Sequence, residues 1–253
     1  MSASTVRARG RRSARAGLVA AVLLVVVVGL VPAGAMQAAA VEPRAGDPAL
    51  PGRVVTAWGS NEFAQSRVPA GLRGATAVAA GRVHSLALRP DGTVAAWGDG
   101  GDDRSEVPAG LRGVTAVAAG GSHSLALRAD GTVAAWGNAH SGQTRVPEGL
   151  TGVTAIAAGY AHSLALRSNG AVVAWGYDGG GRTRVPAALT RVTAIAAGDN
   201  HSLALRADGT VTAWGSIYGQ DQVVPAGLTG VIAVAAGSAH SLALRSDLSL
   251  IHI

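Results

Sequence analysis

A histidine followed by a serine recurs five times, at His84, His123, His162, His201 and His240, always 39 residues apart and always inside the string HSLALR. A histidine beside a hydroxyl is the raw material of nucleophilic catalysis, in which the imidazole takes the serine proton and a third residue holds the imidazole. Two features argue against that chemistry. Adjacent side chains of a strand point to opposite faces, so His123 cannot orient Ser124. A catalytic constellation is also normally unique, whereas this pair recurs in every unit and no third member of a triad is indicated. The expected role is structural: a histidine hydrogen-bonded within its own repeat.

Metal chemistry fares no better. Zinc ligands must converge within about 2.1 Å of one ion, and residues repeated once per unit are held apart by the spacing of the units unless they face a common axis. His140 alone stands outside the repeat and reads as a solvated loop residue. Asp102 and Asp103 are neighbours in a Gly-rich loop, a solubilising turn rather than an acid and base pair. No catalytic residue, metal ligand or cofactor is indicated.

Five tryptophans, Trp58, Trp97, Trp136, Trp175 and Trp214, keep the same 39-residue interval. A fixed period of this size marks a repeat architecture in which each unit buries its apolar face against its neighbours. In residues 114–152, taken as the type unit, three short runs suit strands: residues 115–119, 123–128 and 132–136. The second alternates strictly, with His123, Leu125 and Leu127 on one face and Ser124, Ala126 and Arg128 on the other. Between the second and third runs sits Asp130-Gly131, matched by Asp91-Gly92, Asn169-Gly170 and Asp208-Gly209, which predicts a two-residue type I′ hairpin. The first run is built of Ala and small β-branched residues and suits the narrow end of a tapering assembly, while Trp136 is placed to fill space between sheets. Val146-Pro147 reads as the crossover to the next unit. The expected fold is all-β: a β-propeller with about three strands per blade, the tight hairpins arguing against a parallel solenoid.

The pattern AWGxNxxGQ, then VP, then GxxHSLAL resembles the regulator-of-chromosome-condensation repeat family over about residues 54–245. Asn138, Gly142 and Gln143 match the motif best; Asn61, Gln65, Gly219 and Gln220 keep it in part. The short unit with its VP link is similar to the bacterial secreted type, whose members include propellers that inhibit β-lactamases. The resemblance implies a circular clasp, in which residues 54–59 supply the third strand of the last unit and hide two sheet edges. It also implies seven blades, so five repeats suggest a truncated ring, with a closed five-bladed ring as the alternative. Residues 248–253 break the repeat and read as an aberrant tail.

Charge separates leader from domain. The 253 residues carry 21 Arg, no Lys and 15 acids, a net charge of +6. Arg7, Arg9, Arg11, Arg12 and Arg15 precede an apolar run at residues 17–31 and then small residues to Ala40, the succession of a secretory signal peptide. The apolar run is shorter than the roughly 20 residues of a spanning helix, though an uncleaved anchor is the alternative. From residue 41 onward 16 Arg face 15 acids, which leaves no basic stripe for a phosphate backbone. The expected organisation is a signal peptide at 1–40, a linker at 41–53, the repeat array at 54–247 and the tail. The protein is expected to be secreted and monomeric, free of nucleic acid and, once the leader is removed, of membrane. Arg without Lys, beside abundant Ala, Gly and Val, suits a GC-rich bacterial genome.

What varies between units points to recognition. The two residues before each histidine differ every time, as do the stretches after each Trp-Gly. The only Phe and all three Tyr sit there: Phe63, Tyr160, Tyr177 and Tyr218. With Arg82 and Asp199 they form the candidate protein-binding set, aromatics and Arg being the usual interface anchors. The expected function is a non-enzymatic protein-binding propeller with a secreted or surface partner. Inhibition of a β-lactamase or related cell-wall enzyme is the second reading, and a glycan-binding or hydrolytic propeller the third.

Overall fold

A computed structural model describes residues 54–217, 219–246 and 250–252. The expected signal peptide and linker, and Tyr218, lie outside the described residues. The chain forms five antiparallel sheets in sequence order: β1 (Ala77–Ala80), β2 (His84–Leu88) and β3 (Val94–Gly98); β4 (Val114–Ala119), β5 (His123–Arg128) and β6 (Val133–Gly137); β7 (Val153–Ala158), β8 (His162–Arg167) and β9 (Val172–Gly176); β10 (Val192–Ala197), β11 (His201–Arg206), β12 (Val211–Ile217) and β13 (Gln220–Asp221); β14 (Val231–Ala236), β15 (Ser241–Arg245) and β16 (Leu250–His252). The first strands of successive sheets touch one another along the array. Their Ala-rich composition permits that approach, and they form the narrow inner edge expected of a propeller.

Each sheet inside the array is covered on both faces. Leu125 and Leu127 pack towards the next sheet, against Ala158, Ala165 and Trp175, whereas Ala126 packs towards the previous one, with Leu86, Leu88 and Trp136. Large side chains on one sheet therefore meet small ones on the next, and each fully buried Leu contributes roughly 1.5–3 kcal/mol. The repeated Trp fills the outer part of the same gap, as its position on the third run predicts.

The hairpin between the second and third strands is not a two-residue type I′ turn. The Arg128 carbonyl accepts the Gly131 amide at 2.9 Å, and the Arg128 amide donates to the Thr132 carbonyl at 2.9 Å, so residues 129–131 form a three-residue loop. A type I′ turn needs positive φ at both central residues, and of Asp130 and Gly131 only Gly131, at φ +76°, has it. Asp130 acts through its side chain instead. Its Oδ1 accepts the Thr132 amide at 2.9 Å and the Thr132 hydroxyl at 2.6 Å, which closes the loop.

The clasp is also absent from the described residues. The third place in the last sheet is taken by β16, whose Leu250 stands opposite Leu244. Residues 54–59 instead contribute an isolated bridge, Val54 to Arg73. Without a sheet to enter, Trp58 is 55% exposed, unlike the four other tryptophans, and it is no part of the repeated core. That strand, Leu250–His252, lies within the tail segment.

Candidate functional site

The repeated histidine and serine hold the sheets together. Because His123 and Ser124 face opposite neighbours, His123 Nε2 meets the serine of the next sheet, Ser163 Oγ, at 2.9 Å. The same bond joins His84 to Ser124, His162 to Ser202 and His201 to Ser241. The histidine is therefore not bonded within its own repeat, because strand alternation turns it outward to the adjoining sheet. Ser163 Oγ in turn donates to the Gln143 carbonyl at 2.9 Å, which also accepts Trp175 Nε1–H at 2.9 Å. Ser163 stands directly opposite Trp175 in the sheet, so both reach the same carbonyl of the incoming crossover.

This relay fixes the tautomer. The serine proton is committed to the carbonyl, so the histidine must donate from Nε2–H, and its buried Nδ1 is left without a partner in His84, His123, His162 and His201. Burial lowers the pKa of His84 and His201 to about 4, and of His123 and His162 to about 3. A neutral imidazole that donates to a serine whose own proton is engaged cannot activate that serine as a nucleophile.

The varied residues gather at one end of the sheets. The loops joining first to second strands and the stretches after each Trp-Gly meet there, since His123 pairs with Gly137 in the register and the Asn138 amide donates to the Ser122 carbonyl at 2.9 Å. Arg82, Tyr160 and Asp199 occupy equivalent positions of the first, third and fourth loops. Gly121, between Arg82 and Tyr160, lets the tyrosine lie down: a Cβ there would meet the Tyr160 ring at 2.7 Å and its carbonyl at 2.6 Å. Tyr160 thereby reaches across the second loop to Arg82, whose Nη1 donates to its hydroxyl at 3.0 Å, with Cζ 5.7 Å from the ring centroid.

A second cluster lies around Arg182. Its guanidinium sits 4.9 Å from the Tyr177 ring centroid and donates to the Gly179 and Asp199 carbonyls. Asp199 is buried, its Oδ2 accepting the Ser238 hydroxyl at 2.6 Å. Tyr177 and Phe63 are exposed. The structure thus brings together Arg82 with Tyr160, and Tyr177 with Asp199 through Arg182, a residue that the sequence pattern does not single out. Phe63 takes part in neither of the two cation–π pairs, and its backbone amide donates to Gln65 Oε1 at 2.9 Å.

The remaining motif residues build loops. Gln143 Nε2 donates to Asn138 Oδ1 at 2.8 Å, and Asn138 Nδ2 donates to Asp102 Oδ2 at 3.0 Å, tying one post-Trp loop to the next. Arg104 pairs with Asp99 at 3.2 Å and with Asp102 at 2.8 Å. His140 is exposed at the edge of the shallow depression between these loops. Among the described residues no three His, Cys, Asp or Glu side chains gather as metal ligands.

Stacked, radially repeated sheets of this kind define an all-β, propeller-like repeat protein. Residues 75–103, 114–143, 153–182 and 192–216 match the Regulator of chromosome condensation (RCC1) repeat. Solved structures share the fold. Prp20p from Saccharomyces cerevisiae aligns over 67% of this chain and 55% of its own, with 22% identity and a TM-score of 0.58. The ectodomain of the Physcomitrella patens receptor kinase CR4 aligns over 77% and 54%, with 24% identity and a TM-score of 0.62. Human WBSCR16 aligns over 69% and 60%, with 21% identity and a TM-score of 0.58. The chain thus spans little more than half the length of these relatives. No curated protein sequence matches it.

Proposed function

We propose that this chain is an exported, non-enzymatic protein-binding scaffold whose partner is a secreted or surface protein. The observation that carries this reading is a division of labour: His84, His123, His162 and His201, their serine partners and four of the five Trp are consumed in internal bonds, while Arg82 with Tyr160, and Tyr177, lie exposed in the varied loops at one end. Loops that vary on a rigid frame are the usual seat of recognition. Prp20p, which shares the fold, is described with binding properties to Gsp1p and histones, which supports the same use of the scaffold. Inhibition of a β-lactamase or related cell-wall enzyme is a narrower form of the proposal, resting on the short repeat with its Val-Pro link.

The five sheets read best as blades of a larger, seven-bladed ring. In favour of that over a closed five-bladed ring, Val78 is 43% exposed on the first sheet, and Ala233 and Ala235 are exposed on the last, although their counterparts inside the array are partly or wholly covered.

The test is capture of proteins from culture medium on the immobilised full chain and on the double variant Tyr160→Ala/Tyr177→Ala. An interface anchor contributes about 2 kcal/mol or more, so a partner that uses even one of the two tyrosines should bind at least about thirtyfold more weakly to the variant. Equal capture by both would refute the assignment. N-terminal sequencing of exported protein tests the leader; a species still beginning at Met1 would refute its removal.

A further inference from the structure

Three of the arginines in the varied loops, Arg82, Arg104 and Arg182, lie beside the two clusters or in the same loops. Arg104 is spent on Asp99, Asp102 and the Gly101 carbonyl, and Arg182 on two carbonyls and the Tyr177 ring. Arg82 differs. It is exposed, and apart from Nη1, which donates to the Tyr160 hydroxyl, its guanidinium pairs with no carboxylate and no carbonyl among the described residues. The Tyr160 hydroxyl accepts from Arg82, so its own proton remains available to a further acceptor. Tyr160, whose ring is held over Gly121, is 37% exposed.

From these observations we infer that Arg82 and Tyr160 form a carboxylate-binding site, which takes an Asp or Glu side chain of a protein partner next to an apolar residue. The Nε and Nη2 edge of a guanidinium matches the two oxygens of a carboxylate. The Tyr160 O–H supplies a third donor at the same place, and its ring face offers apolar area to the neighbouring side chain. The tyrosine is already fixed by Gly121 and Arg82, so binding does not have to order it. A neutral or basic partner would leave the Arg82 edge desolvated and unpaired, at a cost that selects against it. This rests on the protein-binding reading and adds the chemistry of the partner.

The probe is a random dodecapeptide library displayed on phage, selected on the full chain with counter-selection on Arg82→Gln. Selected peptides should carry Asp or Glu beside an apolar or aromatic residue. A synthetic version titrated by calorimetry should bind about thirtyfold more weakly to Arg82→Gln. The Asp→Asn or Glu→Gln form of the same peptide should lose as much against the unaltered protein and lose little further against Arg82→Gln. Arg82→Lys should restore only part, because an ammonium lacks the fork. All variants should melt with the parent, since Arg82 is exposed. Peptides without an acid, or with affinity indifferent to Arg82→Gln yet lowered by Tyr177→Ala, would overturn the carboxylate site while leaving protein binding intact. No peptide selected on any part of the rim would overturn both.

Discussion

Replacing Ser163 by Ala isolates one link of the inter-sheet relay. The substitution removes the acceptor of His123 Nε2–H, which lies at 2.9 Å, and the serine's own bond to Gln143. The Gln143 carbonyl keeps the Trp175 indole as donor, so it is not orphaned. The buried Nε2–H is orphaned, because His123 is fully buried and no water can replace the hydroxyl. Leaving a buried donor unpaired costs about 1–3 kcal/mol, and the lost serine bond adds about 0.5–1.5. The expected destabilisation is about 1.5–4.5 kcal/mol, a fall in melting temperature of about 3–18 °C for a domain of this size. Thermal unfolding followed by far-ultraviolet circular dichroism reads it directly. A double-mutant cycle with His123→Leu sharpens the test, since the double variant has no orphaned donor. It should be more stable than the sum of the two single losses implies, by about 1–2 kcal/mol. Additivity within about 0.5 kcal/mol, or a Ser163→Ala protein that melts with the parent, would refute the relay.

Acid should weaken the fold in two stages. The folded pKa values of His84, His123, His162 and His201, lowered to about 3–4, lie below the unfolded value of 6.5, so the unfolded chain binds more protons between them. Stability is then complete above pH 6.5 and declines as pH falls towards 3–4; a melting temperature flat from pH 7 to 5 would contradict this. Asp91, Asp130 and Asp208, held below the usual carboxylate range by their Thr hydrogen bonds, add their losses only at lower pH. Gly131→Ala should cost about 1–2 kcal/mol, read by urea unfolding, because its φ of +76° is strained for any residue with a Cβ. Gly120→Ala should cost more than Gly131→Ala by the same assay, since its Cβ would land on the Gly159 carbonyl and the His123 imidazole.

Much of the fold was legible because each repeat states it again. The period, the alternation in HSLALR and the small residues of the first strand specified three strands and their order, and the second strand's bounds agree to the residue. The partner of each histidine was not legible. Alternation says that His123 and Ser124 face apart, but not that another sheet stands on each side to receive them. Asp-Gly misled because type I′ turns and three-residue loops share it; only the residue after it, Thr132, bonding back to Asp130, distinguishes them. At the rim, variation marked Arg82 and Tyr160 individually, yet their bond spans 78 residues and passes over Gly121, whose smallness was the one visible clue. Arg182 was hidden in a motif position that Gln143 fills one repeat earlier.

Every boundary between sheets uses the same fastening, an imidazole from one unit and a hydroxyl from the next, 40 residues apart in sequence. Such a boundary is blind to which two units meet. In-frame duplication or loss of a 39-residue segment at the level of the gene therefore creates no new junction chemistry. The rim side chains take no part in the fastening. Array length and recognition surface can accordingly drift under separate selection, with one lineage lengthening its ring while another rewrites Arg82 or Tyr160 in a single step.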